Sequence, residues 1–207
     1  MFGMTSKLAS SITGGLSNTE KMPDKSWNIS AKECKVGSII ARIPNSICFD
    51  CYALEGRYMF PVVQDALERR LTAVTGIYWT WSMATLISRI KVPFFRWFDS
   101  GDLQDLAMLQ SIVDVCAMTP DIHHWLPTKE YGIVKNYLEE FGAFPTNLCV
   151  RVSAIMVDGP APRLMGLPTS TVVTSDWTCP SSEQGNKCLE CRACWNIQQQ
   201  NVSYKFH

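Results

Sequence analysis

The sequence predicts an α/β fold built on a parallel sheet, and three observations predict it. Short apolar runs begin at residues 94, 122 and 147, spaced 28 and 25 apart, which is the length of one βα unit. Between those runs, apolar residues recur at helical intervals. The composition, 46% hydrophobic and 18% charged over 207 residues, suits a soluble single domain with a sizeable core.

The elements follow in order. Residues 1–44 open with Gly14-Gly15, Asn18-Thr19 and Met22-Pro23-Asp24, and read as an irregular N-terminal arm. The α/β region is expected over 45–175. Helical periodicity runs from after Phe60 to about Thr75, and a second helix is expected over 77–90. FFRWF (94–98) reads as a buried strand. Leu106, Leu109, Val113 and Cys116 are spaced 3, 4 and 3 apart, one face of a helix. IHHWL (122–126) is the next strand; Val134, Tyr137 or Leu138, and Phe141 mark the next helix. NLCVRV (147–152) and STVVT (170–174) complete the expected strands. Residues 176–207 hold four cysteines and show no clear period, so metal ligation is expected to organise them.

Charge narrows the partners. Lys plus Arg (19) equals Asp plus Glu (19), without the basic excess of a protein built to grip a phosphate backbone, so nucleic acid is not the favoured partner. No segment reaches the roughly 18 apolar residues of a membrane span, and MFGMTSKLASSITGG does not read as a signal peptide. A cytoplasmic location with reduced thiols is the expectation.

Nine cysteines then call for an explanation other than disulfides. Cys116 and Cys149 sit in apolar stretches and read as small buried hydrophobes. Cys179, Cys188, Cys191 and Cys194 form C-x8-C-x2-C-x2-C, with Pro180 after the outlying cysteine. Successive x2 spacings are the ferredoxin pattern of a [4Fe–4S] cluster, whereas zinc sites usually present separated C-x2-C pairs; zinc and free thiols are the alternatives. Cys34, Cys48 and Cys51 form a second group. Either Cys116 or Cys149 completes a structural site there, or three thiolates hold a cluster whose remaining iron is open to a ligand.

In a parallel α/β fold, function gathers at the carboxyl ends of the strands. Asp99, Ser100 and Asp102 follow the strand 94–98. Asp102 also reads as a helix cap with Asp105 as its capping-box partner. Thr128 reads as a cap, which puts Lys129 in a first helical turn where the dipole disfavours a cation; a ligand or a carboxylate would account for it. His123 and His124 point to opposite faces of their strand. Arg151, between two valines, needs a partner if buried, and Asp99 is the simplest one. Arg57 and Tyr58 either flank an anionic centre or belong to a solvated helical turn. Asp99, Lys129 and Arg151 form the candidate catalytic set; Arg57, Tyr58, Ser100 and Asp102 are the candidate cofactor-binding set.

The segments KMPDKSW (21–27), CFDCYALEGRY (48–58), FRWFDSGDLQD (95–105), HHWLPTKEY (123–131), NLCVRVSA (147–154) and CRACW (191–195) resemble a phage family called gene product 88. The C-x-x-C-Y-A segment also distantly resembles radical S-adenosylmethionine (radical SAM) proteins. That resemblance implies an incomplete parallel βα barrel with a three-cysteine cluster at its mouth. The chain departs from the pattern: 13 residues separate Cys34 from Cys48, and no glycine-rich cofactor strand is evident. The expected function is a redox or radical-type enzyme with one or two [4Fe–4S] clusters, an electron donor, a small-molecule substrate and S-adenosylmethionine as a candidate ligand. The alternative is a non-catalytic module, stabilised by iron–sulfur or zinc, that binds protein or nucleic acid during infection.

Overall fold

The computed structural model, which describes residues 3–206, contains one sheet of six parallel strands paired in chain order. Its strands are β1 (Ser26–Trp27), β2 (Phe94–Trp97), β3 (His123–Thr128), β4 (Leu148–Ser153), β5 (Thr169–Val173) and β6 (Asn201–Lys205). Each strand pairs only with its neighbours in sequence, so β1 and β6 are the edges and the sheet stays open. Among the described residues six α-helices, besides short 3-10 turns, connect or precede the strands: α1 (Ser6–Thr13), α2 (Lys35–Ile40), α3 (Pro61–Ala73), α4 (Trp79–Ile87), α5 (Leu106–Met118) and α6 (Tyr131–Phe141).

Local chemistry explains the element ends. Helix α3 begins with Pro61, whose missing N–H costs nothing in the first turn. Helix α5 begins under Asp105, whose carboxylate accepts the Met108 N–H at 2.7 Å. It buries Met108, Leu109, Ile112, Val113 and Cys116, a stripe at helical spacing. Helix α4 is apolar nearly all round and is accordingly buried, packed between α1 and α5. Among the described residues no helix is long and apolar enough to cross a membrane.

Strand alternation divides the interior in two. Phe95, Trp97, Leu126, Leu148 and Val150 face the helices and join Trp27, Trp79, Leu109 and Ile112 in the larger core. On the opposite face Phe94, Trp125, Val202 and Tyr204 pack with Met22, Trp195 and three of the C-terminal cysteines. His124 is buried, whereas His123 is exposed and stacks on Phe94, so the two histidines do part across the strand.

Two expectations need correction. The first 44 residues are not an irregular arm: within the described part they supply α1, β1 and α2, and β1 pairs with β2 in register. The period was invisible because β1 is only two residues long. The C-terminal segment ends in β6, hydrogen-bonded to β5 along its whole length. NVSYK alternates, but polar Asn, Ser and Lys hide a strand whose buried side chains are few. Met1 and Phe2 of the arm and His207 of the tail lie outside the described residues.

Candidate functional site

The loop carrying Cys34, Cys48 and Cys51 lies over the carboxyl ends of β2, β3 and β4. The Val36 N–H donates to Glu130 Oε1 at 2.9 Å, just after β3. The Lys35 ammonium donates to the carbonyl of Gln104, whose side-chain amide donates to the Glu33 carbonyl at 3.1 Å. The Ile47 N–H donates to the Ile155 carbonyl at 2.8 Å, just after β4. Every strand end beneath the loop thus holds part of it.

Cys34 and Cys48 approach one another across Gly37, and Cys51 lies near enough for its charge to act on both. A Cβ at Gly37 would stand 2.8 Å from Cys34 Cβ and 3.7 Å from Cys48 Sγ, so only glycine lets this backbone lie against both cysteines. Burial pushes the Cys34 thiol up to about 12; the negative charges of Asp102, Cys48 and Cys51 add to that, and Lys129 opposes it. Cys48 is raised by burial, against Lys129 and with Cys51 and Asp102. Lys129 and Asp102 therefore face the same thiols. The Lys129 ammonium has no hydrogen bond or ion pair among the described residues, where the one ion pair is Lys135–Glu139.

Asp102 is buried at the junction of the strand ends. Its Oδ1 accepts from the Thr128 hydroxyl at 2.6 Å and its Oδ2 from the Lys129 N–H at 2.8 Å. Burial raises its carboxyl to about 6 despite those bonds. The capping roles expected from the sequence move accordingly. Asp105, not Asp102, caps α5. Thr128 is the last residue of β3 rather than a helix cap, and Lys129 precedes α6 instead of lying in its first turn.

Asp99 anchors the other end of the loop. Its Oδ1 accepts from the Ser26 hydroxyl at 2.9 Å, and its Oδ2 from Asn28 Nδ2 at 2.9 Å and the Tyr58 hydroxyl at 3.0 Å. The Tyr52 hydroxyl donates to the Asp99 carbonyl. Asn28 in turn accepts from the buried Arg70 guanidinium. Phe98, at φ 53°, turns the chain so that Asp99 meets this network; its own N–H donates to the Trp27 carbonyl at 2.7 Å. The next residue, Ser100, spends its hydroxyl on the Ile29 carbonyl at 2.8 Å. Arg57 is exposed.

The C-terminal cysteines occupy the sheet face away from the helices. Cys179, Cys188 and Cys194 are buried, Cys191 is half-buried, and all are free thiols. Burial pushes the Cys194 thiol up to about 12, with the Tyr204 hydroxyl 3.1 Å from its Sγ. Cys188 is raised by burial too, and it lies near enough to Cys179 and Cys191 for their charges to act on it. The donor set, four soft sulfurs of which three are buried, fits a thiophilic metal or an iron–sulfur cluster. Among the described residues, no three histidine, cysteine or acidic side chains already stand in ion-holding geometry.

Arg151 is not paired with Asp99. It is fully buried on the same face as these cysteines, and its guanidinium donates to the carbonyls of Thr169 at 2.8 Å, Gln199 at 3.0 Å, and Ala193 and Asn196 at 3.1 Å each. It thereby fastens residues 193–199 to the sheet. Its Nη2 also lies 3.7 Å from Cys149 Sγ. Cys116 packs into the helix-side core.

Of the residues singled out in the sequence, the structure brings Lys129 and Asp102 to the three-cysteine loop, ties Tyr58 to Asp99, and puts Arg151 with the other group. Sequence reasoning missed Tyr52, Glu130, Asn28 and Arg96. Arg96 alone carried a signal, an arginine inside an apolar strand.

No curated protein and no solved structure matches the chain significantly. A family model described as "Gene product 88" matches residues 7–177, most of the chain, and the protein belongs to that family.

Proposed function

We propose that the protein is an iron–sulfur protein that works on a small molecule at the three-cysteine loop. The observation that carries this reading is the placement of Cys34, Cys48 and Cys51 over the strand ends, facing Lys129 and Asp102, apart from the four-cysteine group on the sheet face. Three thiolates would leave one iron of a cubane for a ligand, and electron transfer to that ligand is the chemistry such a cluster supplies. Lys129, without an ion pair among the described residues, offers a cation to an anionic ligand group. Asp102, with its raised carboxyl, can hold or release a proton near neutral pH. Asp99 acts here by positioning, through Tyr52 and Tyr58. Ser100 and Arg151 bond to backbone carbonyls and serve the scaffold.

The open parallel sheet is compatible with an incomplete barrel of radical SAM type, and S-adenosylmethionine is one candidate ligand. An external electron donor and a cytoplasmic setting belong to the same reading. Anaerobic purification should give a brown protein absorbing broadly near ~400 nm, with several irons and sulfides per chain. A colourless, zinc-only protein would overturn the reading. Reductive cleavage of S-adenosylmethionine separates radical chemistry from other redox chemistry.

One observation favours a second reading. Phe49, Met59, Phe60 and Val62, around and after the cysteine loop, are 48%, 44%, 56% and 71% exposed. A metal-stabilised module that docks a protein through this apolar surface would use them. Metal content without turnover or ligand response would favour it.

A further inference from the structure

We infer that Arg96 and Arg151 are the counter-cations of a negatively charged four-thiolate metal centre formed by Cys179, Cys188, Cys191 and Cys194. The inference rests on the proposal that these cysteines hold a metal, and adds what charge that centre carries and which residues balance it.

Two buried-side cations stand without an ion pair among the described residues. Arg151 is 0% exposed, and its donors meet only backbone carbonyls and the Cys149 sulfur. Arg96 is half-buried. Its Cζ lies 4.5 Å over the Trp125 ring, its Nη2 donates to the Phe98 carbonyl at 3.3 Å, and its enclosed Nε has no partner. No acid lies within ion-pair distance of either, among the described residues. A desolvated cation without an anion is costly, by several kcal/mol per ion. Carbonyl dipoles offset part of that cost for Arg151, and a carbonyl, the Trp125 face and the more distant charge of Asp99 offset part of it for Arg96; none of these puts a negative charge against either guanidinium.

The cysteines supply what is missing. Trp125, under Arg96, packs edge-on against Trp195 with centroids 5.2 Å apart, and Met22, whose sulfur is 4.0 Å from Arg96 Nη1, belongs to the same buried cluster as Cys179, Cys188 and Cys194. Arg151 grips the carbonyls of residues 193 and 196, on either side of Cys194. The two guanidiniums therefore flank the group. As thiols the four sulfurs are neutral and leave Arg151 with no counter-charge and Arg96 with only the distant Asp99. As thiolates on a divalent ion, or on a cubane core of charge +2, they form a dianion. Two cations then match two negative charges.

The test uses the full chain carrying Cys48→Ser and Cys51→Ser, so that only the C-terminal group can load. Co2+ is titrated anaerobically against a chelator, and iron with sulfide is reconstituted in parallel; unfolding midpoints are measured with and without metal. Arg96→Met should weaken metal retention roughly 10- to 100-fold. Its metal-free midpoint should stay level or rise, because an unpaired cation has gone. Arg96→Lys should recover part of the affinity. Arg151→Lys should likewise retain metal better than Arg151→Met. If Arg96→Met lowers the midpoint equally with and without metal, or fails to fold, Arg96 only braces Phe98 and Trp125, and the inference is overturned. Equal metal retention by Arg96→Met and the unsubstituted residue overturns it as well. If the parent chain takes up neither cobalt nor iron, the metal reading itself falls and this inference with it.

Discussion

The Tyr58 hydroxyl donates to Asp99 Oδ2 at 3.0 Å, joining residues 41 apart in the chain. With the Tyr52 bond to the Asp99 carbonyl, it fixes the stretch after Cys51 to the end of β2. Tyr58→Phe should cost about 1.5–3 kcal/mol, the usual value of a hydrogen bond to a charged group. Denaturant unfolding measures it. Alkylation of Cys51 should also become faster; an unchanged rate would mean the tyrosine does not hold the loop.

Acid should weaken the protein through His124. Thr119 donates its hydroxyl to the Val115 carbonyl at 2.7 Å, so His124 Nε2, 2.9 Å away, must be the donor to that oxygen. Nδ1 is left buried without a partner. Burial, and then the charge of His123, push the imidazole down to about 3. The folded value lies below the unfolded one of about 6.5, so this contribution to stability is complete above pH 6.5. It is lost progressively as pH falls toward 3. Urea midpoints at pH 7 and pH 5 should differ more for the wild type than for His124→Phe.

Gly101→Ala should be severely destabilising. The residue sits at φ 76°, and a Cβ there would lie 2.4 Å from Ile29 Cγ1 and 2.8 Å from the Ile29 carbonyl oxygen. Positive φ and overpacking together make about 2–4 kcal/mol the expected loss, or an insoluble chain. Wild-type stability in this variant would show that the 100–103 turn can shift.

The two cysteine groups should respond differently to single substitutions. Cys191→Ser should lower solubility or thermal stability, because residues 176–199 hold few regular backbone bonds of their own. Cys51→Ser should stay soluble and lose one cluster's worth of iron together with any ligand response. Iron counts and melting curves for both check this. Simultaneous loss of all iron from either variant would mean one coupled site.

The regular part of the fold was legible because its period is strong. Leu106, Leu109, Val113 and Cys116 mark α5, and FFRWF marks β2, since each buries one face or both. The edges were not, because β1 is two residues long and β6 is polar at alternate positions. At the site, Lys129 stood out as a cation expected in a first helical turn, although it in fact precedes α6. Glu130 did not, because an acid next to a lysine before a helix looks like any solvated turn; only the fold brings Val36 to it. The Asp99–Arg151 pairing failed for a similar reason. Burial requires Arg151 to have partners, and sequence cannot tell a carboxylate from one backbone carbonyl of β5 and four more presented by a loop over 40 residues away.

Chain-order pairing of the sheet has a consequence for biosynthesis. Each strand docks beside the one made just before it, so the sheet can grow from β1 as the chain leaves the ribosome. The loop with Cys34, Cys48 and Cys51 finds its full support once Ile155 has emerged. The four-cysteine segment is different: Arg151 waits on its face of the sheet for carbonyls as late as Gln199, and β6 closes the edge only after that. Assembly is therefore staged, with the first group seated early and the second only once β6 has emerged.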